Sequence, residues 1–350
     1  MMAQYIDSFP GREILINGKK HLYFGGTAYL GLQTDEAFQD LFIKNIKKYG
    51  TNYSASRKSN IRMSIFEKTE HYLSRLVGTE ACAIVSSGYL AGQFVAQTLN
   101  TKAHRFFYAP NTHSALYPVQ TKSYTTFTAL NIAIREHLRS QPGKTPVVFL
   151  DTIDFSGCNY PDFDPLQLLP LAQVILVVDD SHGIGIVGNN GSGVFGILSK
   201  LPVKELLVCC SLGKGFGIQA GAVFGKKKRI SELKETAFFG GSSPAAPAAL
   251  ATLLDAEIIY SGKRKQLQNN IALFLRSLKN PKKFSGMKDH PAFSFSDVQL
   301  TEYLAQEGII LTNFPYPDEH SQLMSRIVLS AHHRKQDIIR LTDLLNEQRV

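Results

Sequence analysis

Four short apolar runs set what this chain can fold into: residues 81–85, 147–150, 174–178 and 206–210. Each is too short for a helix of ordinary length, and each is apolar throughout rather than at alternate positions. A strand read this way is buried on both faces. Amphipathic stretches with helical spacing lie between several of the runs, among them 65–77 and 90–99. Strands alternating with helices predict an α/β fold built on a mostly parallel sheet covered by helices. The 350 residues, 44% of them hydrophobic, suffice for one large domain and a smaller one. We expect an N-terminal segment over 1–49, a large domain over 50–250, and a linking helix with a small C-terminal domain over 251–350. In the outer segments, 13–16 and 20–24 read as two strands joined by a tight turn at Asn17-Gly18. Residues 35–48 read as a helix, and Pro244 to Glu257 begins a long Ala/Leu-rich helix that leads out of the large domain. Residues 293–295, 309–311 and 326–329 suggest a small sheet, and 336–348 a closing helix.

In open α/β sheets, ligands bind outside the carboxyl ends of the strands. The residues that end these runs are chemically loaded. The last run leads into Ser211-Leu212-Gly213-Lys214-Gly215-Phe216-Gly217. A lysine held between glycines loses solvation, and its neutral amine can then bond to an aldehyde; it also reads as an ordinary loop lysine. The run 174–178 leads into Asp179-Asp180-Ser181-His182-Gly183. Asp179 reads as a site carboxylate or a helix cap, and His182 as a ligand contact or a core histidine. The run 81–85 leads through Ser86-Ser87-Gly88-Tyr89 into the stretch 90–99, and a turn that opens a helix offers free amides to a phosphate. His113, in Thr112-His113-Ser114, reads as a stacking partner for a flat ring or as a surface residue.

Taken together, Ser87-Gly88-Tyr89, His113, Asp179 to Gly183 and Gly213 to Gly217 resemble the α-oxoamine synthases. Further matches are Tyr29-Leu30-Gly31-Leu32, Gly191-Ser192-Gly193, Ser325-Arg326-Ile327 and Ala331-His332-His333, so the likeness runs along most of the chain. It implies a fold type I transferase dependent on pyridoxal 5'-phosphate, with a large sheet domain and a small α+β C-terminal domain. By that resemblance, Lys214 carries the cofactor and shuttles the substrate α-proton. Asp179 holds a proton on the pyridine nitrogen, His182 bonds the phenolic oxygen and His113 stacks on the ring. Ser87, Gly88, Tyr89 and Ser211 hold the phosphate, with Gly241 facing the phosphate of a partner in a homodimer. Arg326 pairs with the amino-acid carboxylate, and Thr27 lies at a substrate contact. The implied reaction joins an amino acid to an acyl-CoA or acyl-carrier-protein thioester with loss of carbon dioxide, L-alanine and a pimeloyl thioester being the leading pair. An aminotransferase, a condensing enzyme for glycine or serine, and a cofactor-binding protein without acyl chemistry are the alternatives. The chain departs from the family pattern at Thr27-Ala28, Gly92, Asp154-Phe155-Ser156-Gly157 and Gly240-Gly241. The cofactor lysine, aspartate and histidines keep to the pattern, and the surroundings of the acyl acceptor are less typical.

Charge and cysteines bound the remaining possibilities. The net charge of +9 gathers at 226–229, 263–265 and 282–283. These clusters read as solvated surface, or as a basic rim that steers the phosphates of coenzyme A. No zinc finger or aromatic platform accompanies them, so nucleic acid is not an expected partner. The four cysteines have no metal-ligand spacing, and no metal is expected. Cys82, Cys209 and Cys210 sit in apolar runs and read as small core residues, which fits a reducing cytoplasm. Residues 1–10 carry no basic start or apolar segment, and no run is long enough for a membrane span.

Overall fold

The computed structural model describes residues 4–117, 122–315 and 323–347. The chain divides into two compact units. One holds Asp40–Asp154 and Cys158–Glu257; the other holds the described residues of Met1–Gln39 and Ile258–Val350 together with Phe155–Gly157. Among the described residues, no helix is long and apolar enough to cross a membrane.

The larger unit is built on a six-stranded sheet. Its order is Ala81–Val85, Gly221–Gly225, Glu205–Ser211, Ile175–Asp179, Thr145–Asp151 and His104–Tyr108. The last four run parallel, while Gly221–Gly225 is antiparallel to both of its neighbours. All five residues of Ile175–Asp179 are buried, as a strand covered on both faces requires. The helix Gly88–Leu99 lays Ala91, Phe94 and Val95 into one core with Phe149, Val177, Leu207 and Val223. The helix Ile65–Val77 ends at Gly78, whose φ of 80° is the left-handed cap that glycine adopts without strain. Within that helix the buried Glu70 accepts from the Ile84 amide at 3.0 Å and from Arg57 at 3.0 Å, tying the helix to the strand that leads into Ser87.

The smaller unit carries the other sheet. Its order is Glu13–Ile16, Lys19–Phe24, Ile309–Pro315, Leu323–Val328, Ala292–Ser294 and Ser285–Gly286. Asn17 and Gly18 both take positive φ, 49° and 77°, as a two-residue hairpin turn demands. The return strand Lys19–Phe24 then pairs in parallel with Ile309–Pro315, so the N-terminal hairpin and the last third of the chain share one sheet. The apolar stretch after Pro244 forms two helices rather than one: Pro247–Asp255 ends at Ala256, and Glu257–Ser277 follows. The closing helix is Lys335–Glu347; the expected last residue, Gln348, lies outside the described residues, as does Met1.

One buried carboxylate shapes the loop after Ile175–Asp179. Asp180 Oδ1 accepts from Thr152 Oγ1 at 2.8 Å, and Oδ2 accepts from the Val194 amide at 3.1 Å. A Cβ on Gly183 would stand 2.1 Å from Oδ1, and one on Gly193 2.0 Å from Oδ2. The loop therefore wraps the carboxylate with glycine at both contacts. Burial pushes the Asp180 carboxyl up to about 7. An aspartate in the unfolded chain titrates near ~3.9. Between about pH 4 and 7 the folded state thus binds the extra proton, and this group's contribution to stability falls as pH rises, by up to about 4 kcal/mol. Denaturant unfolding should show the stability of the parent, relative to Asp180→Asn, decreasing from pH 4 to pH 7. A difference that stays constant over that range contradicts the assignment.

Candidate active site

The carboxyl ends of the four parallel strands carry the site. Register places Asp151 beside Asp179 and Asp179 beside Cys209 on adjacent strands. The strand Glu205–Ser211 passes directly into a short helical turn, Leu212–Gly215, whose cap is Ser211; its Oγ accepts from the Gly213 amide at 3.3 Å. Lys214 is on this turn, half-buried. Its Nζ lies 2.8 Å from His182 Nε2.

That contact depends on two glycines. Gly185 has φ +83°, and a Cβ there would stand 2.8 Å from the Gly215 backbone. A Cβ on Gly215 would stand 2.1 Å from the Ile184 carbonyl oxygen. Only side chains without a Cβ let the 183–185 loop lie against the turn that bears Lys214. Ser181 reinforces the joint, since its Oγ accepts from the Ser211 amide at 2.8 Å. Asp179 is buried and accepts from the Ser181 amide at 2.8 Å.

His113 sits at the head of the short 114–116 turn. Its amide donates to Asp151 Oδ2 at 3.1 Å, and its Nδ1 accepts from the Ala115 amide at 3.0 Å. Accepting at Nδ1 leaves the proton of the neutral ring on Nε2. Burial holds the imidazole below its ordinary value; nearby Asp179 opposes this and Lys214 adds to it. The helix Gly88–Leu99 fastens the turn from the other side. Gln93 Nε2 donates to the carbonyls of Ala115 at 3.0 Å and Tyr117 at 2.7 Å. A Cβ on Gly92 would be 2.6 Å from the Ala115 carbonyl oxygen, so this departure from the family pattern is the condition for the close approach.

At the start of the same helix, Ser87 caps the chain by accepting from the Leu90 amide at 3.1 Å. The amides of Gly88 and Tyr89 precede the first intrahelical bonds and point out of the helix N-terminus. A Cβ on Gly88 would stand 2.5 Å from Ser211 Cβ, so Ser87-Gly88 and Ser211 are in immediate contact. The Tyr89 side chain is exposed. Gly241 is exposed at the end of the helix Ala237–Gly241, with open space where a side chain would be.

Two site residues from the sequence belong to the smaller unit. Arg326 is half-buried on the strand Leu323–Val328, and Thr27 is exposed in the bend after Lys19–Phe24. The larger unit thus brings together Lys214, His182, Asp179, His113, Ser87, Gly88 and Ser211, while Tyr89 and Gly241 present their surfaces outward.

Asp151 was not among the residues singled out from sequence. It ends its apolar run as Asp179 ends the next one, and that parallel was the available signal. Its Oδ1 is buried and accepts no hydrogen bond. Burial, with the Asp179 charge beside it, pushes the Asp151 carboxyl well above the usual range. A pair of neighbouring carboxylates, an amine within reach of an imidazole, a glycine cradle and open helix amides form a polar cluster built for a charged, flat ligand carrying a phosphate. The donor set fits pyridoxal phosphate.

Comparison with known proteins points the same way. The model of the aminotransferase class I and II family matches residues 28–345. The 8-amino-7-oxononanoate synthase of Petrotoga mobilis is 27% identical over 355 residues, covering 95% of this chain and 89% of its own. The serine palmitoyltransferase of Sphingobacterium spiritivorum is 26% identical over 276 residues, covering 75% of this chain and 68% of its own. Among solved structures, the serine palmitoyltransferase of Sphingomonas wittichii superposes with a TM-score of 0.80 at 20% identity, over 98% of this chain and 91% of that one. A serine palmitoyltransferase solved with pyridoxal phosphate gives 0.80 at 19% identity over the same shares. This chain therefore belongs to the aminotransferase class I and II family, among its α-oxoamine synthases, and is an enzyme that works with pyridoxal phosphate.

Proposed function

We propose that this enzyme joins L-alanine to a pimeloyl thioester, of coenzyme A or of a carrier protein, with loss of carbon dioxide. The observation that carries the reading is Lys214 Nζ at 2.8 Å from His182 Nε2, on the edge of the sheet that also bears Asp179 and His113. The relatives named 8-amino-7-oxononanoate synthase support the choice of substrates.

When bound, pyridoxal phosphate supplies an electron sink for the charge left on the substrate α-carbon. Lys214 takes the α-proton onto Nζ, and His182 orients that amine and would hold the phenolic oxygen of the cofactor. Asp179 would hold the ring nitrogen of the cofactor and keep a proton there. His113, whose imidazole burial holds below its ordinary value, would pack on the ring face, and its Nε2–H is the donor for the thioester oxygen. The amides of Gly88 and Tyr89 and the hydroxyls of Ser87 and Ser211 take the phosphate. Arg326 takes the amino-acid carboxylate, for which its planar fork is suited, and Thr27 lines the way of the substrate. The new carbon–carbon bond forms at the acyl carbonyl as the carbon–sulfur bond breaks, the thiol leaves, and the carboxylate departs as carbon dioxide. A second reading, with glycine or serine as the amino acid, draws on the serine palmitoyltransferases among the relatives.

Borohydride reduction of the holoenzyme should fix the cofactor on Lys214, found by peptide mapping, and Lys214→Ala should abolish the label. A label on any other lysine overturns the assignment. Turnover should be followed with alanine, glycine and serine against pimeloyl-CoA and longer acyl-CoAs, reading free thiol and carbon dioxide. Release of both with alanine and pimeloyl-CoA supports the reading. Keto acids formed from an amino donor without thiol release make the enzyme an aminotransferase instead.

The same reading makes the chain a homodimer, with the backbone of Gly240-Gly241 facing the partner's phosphate. Sedimentation at assay concentration should give the mass of two chains. A fully active monomer would exclude it.

A further inference from the structure

Phe155 stands in the left-handed region at φ +57°, a conformation that costs free energy for any residue with a side chain and persists only where its surroundings impose it. The Arg326 guanidinium lies over the Phe155 ring, its Cζ 3.4 Å from the ring centroid. His290, itself fully buried, meets the Phe155 ring edge-on at 5.9 Å and the Tyr29 ring edge-on at 5.4 Å. Ser294 Oγ donates to the Phe155 carbonyl at 3.4 Å, and Ser294 is the register partner of Arg326 on the neighbouring strand. The fold thus spends a strained backbone position on setting an aromatic face against one arginine. Guanidinium stacked on a ring keeps its in-plane N–H fork open for a planar anion. The ring also occupies one face of the group and leaves fewer orientations for the fork.

We infer that Phe155 is a positioning residue for Arg326: its ring holds the guanidinium in the plane in which it grips the amino-acid carboxylate. This deepens the proposed function and rests on its assignment of Arg326 to that carboxylate. It also gives a role to a position where the chain departs from the family pattern. Phe155 touches no reacting atom in this reading and acts through Arg326 alone.

The test is amino-acid binding to the holoenzyme, read from the change in cofactor absorbance on titration with L-alanine, glycine and L-serine in the absence of acyl donor. Ethylamine, which lacks the carboxylate, is the control. Phe155→Leu, which keeps bulk and loses the ring face, should raise the Kd for the amino acids about tenfold and leave ethylamine unchanged. Phe155→Tyr, which keeps the face, should restore the parent value. Arg326→Ala should weaken amino-acid binding more, and adding Phe155→Leu to it should change nothing further. Parent-like Kd values in Phe155→Leu, with Arg326→Ala still impaired, overturn the inference and leave the carboxylate assignment standing. Effects that multiply in the double variant overturn it as well, because Phe155 then acts independently of Arg326. An Arg326→Ala variant that binds amino acids normally removes the carboxylate assignment and the inference with it. Should Phe155→Leu fail to fold, judged by its thermal melt, Phe155→Met gives the same readout.

Discussion

The close approach of Gly185 and Gly215 is the contact on which the rest of the larger unit's site depends. It allows the loop after one strand to lie on the turn after the next, and so sets the imidazole of His182 against the amine of Lys214. The loop can reach that far because Asp180 gathers it from within, through Thr152, Val194 and the bare backbones of Gly183 and Gly193. The dependence is hierarchical. A carboxylate shapes a loop, the loop meets a turn through backbone alone, and two functional side chains then fall within hydrogen-bond distance. A side chain added at either glycine contact would disturb the Lys214–His182 contact from a distance.

Electrostatics reinforces the same edge. Parallel strands in register bring Asp151 and Asp179 side by side, and two buried carboxylates cannot both stay ionised cheaply. The structure resolves this by pushing the Asp151 carboxyl upward while its other oxygen holds the His113 backbone. Burial holds the His113 imidazole below its ordinary value.

Much of this was legible in the sequence because the signal is local. Strands 81–85, 175–179 and 205–211 show as apolar runs, and the polar residues that end them are the ones the sheet brings together. The strand Gly221–Gly225 was not, because glycines at both ends and in the close contact with Ser87 remove the apolar pattern a strand usually shows. Asp151 escaped notice because no histidine or glycine turn follows it to mark the place. The break at Ala256 falls in the middle of good helix formers, where propensity alone predicts continuation. The parallel pairing of Lys19–Phe24 with Ile309–Pro315 links segments nearly three hundred residues apart, and no local pattern encodes it. The stacking of Arg326 on Phe155 is of the same kind: both residues were noted singly, and their meeting is a property of the fold.

Gly92 shows how such departures should be understood. The missing side chain and the nearness of the Ala115 carbonyl are one change seen from two sides, since the helix sits where it does because nothing projects from it there. Any side chain placed at 92 would meet that carbonyl first. It would press on the same turn that Gln93 holds through the carbonyls of Ala115 and Tyr117.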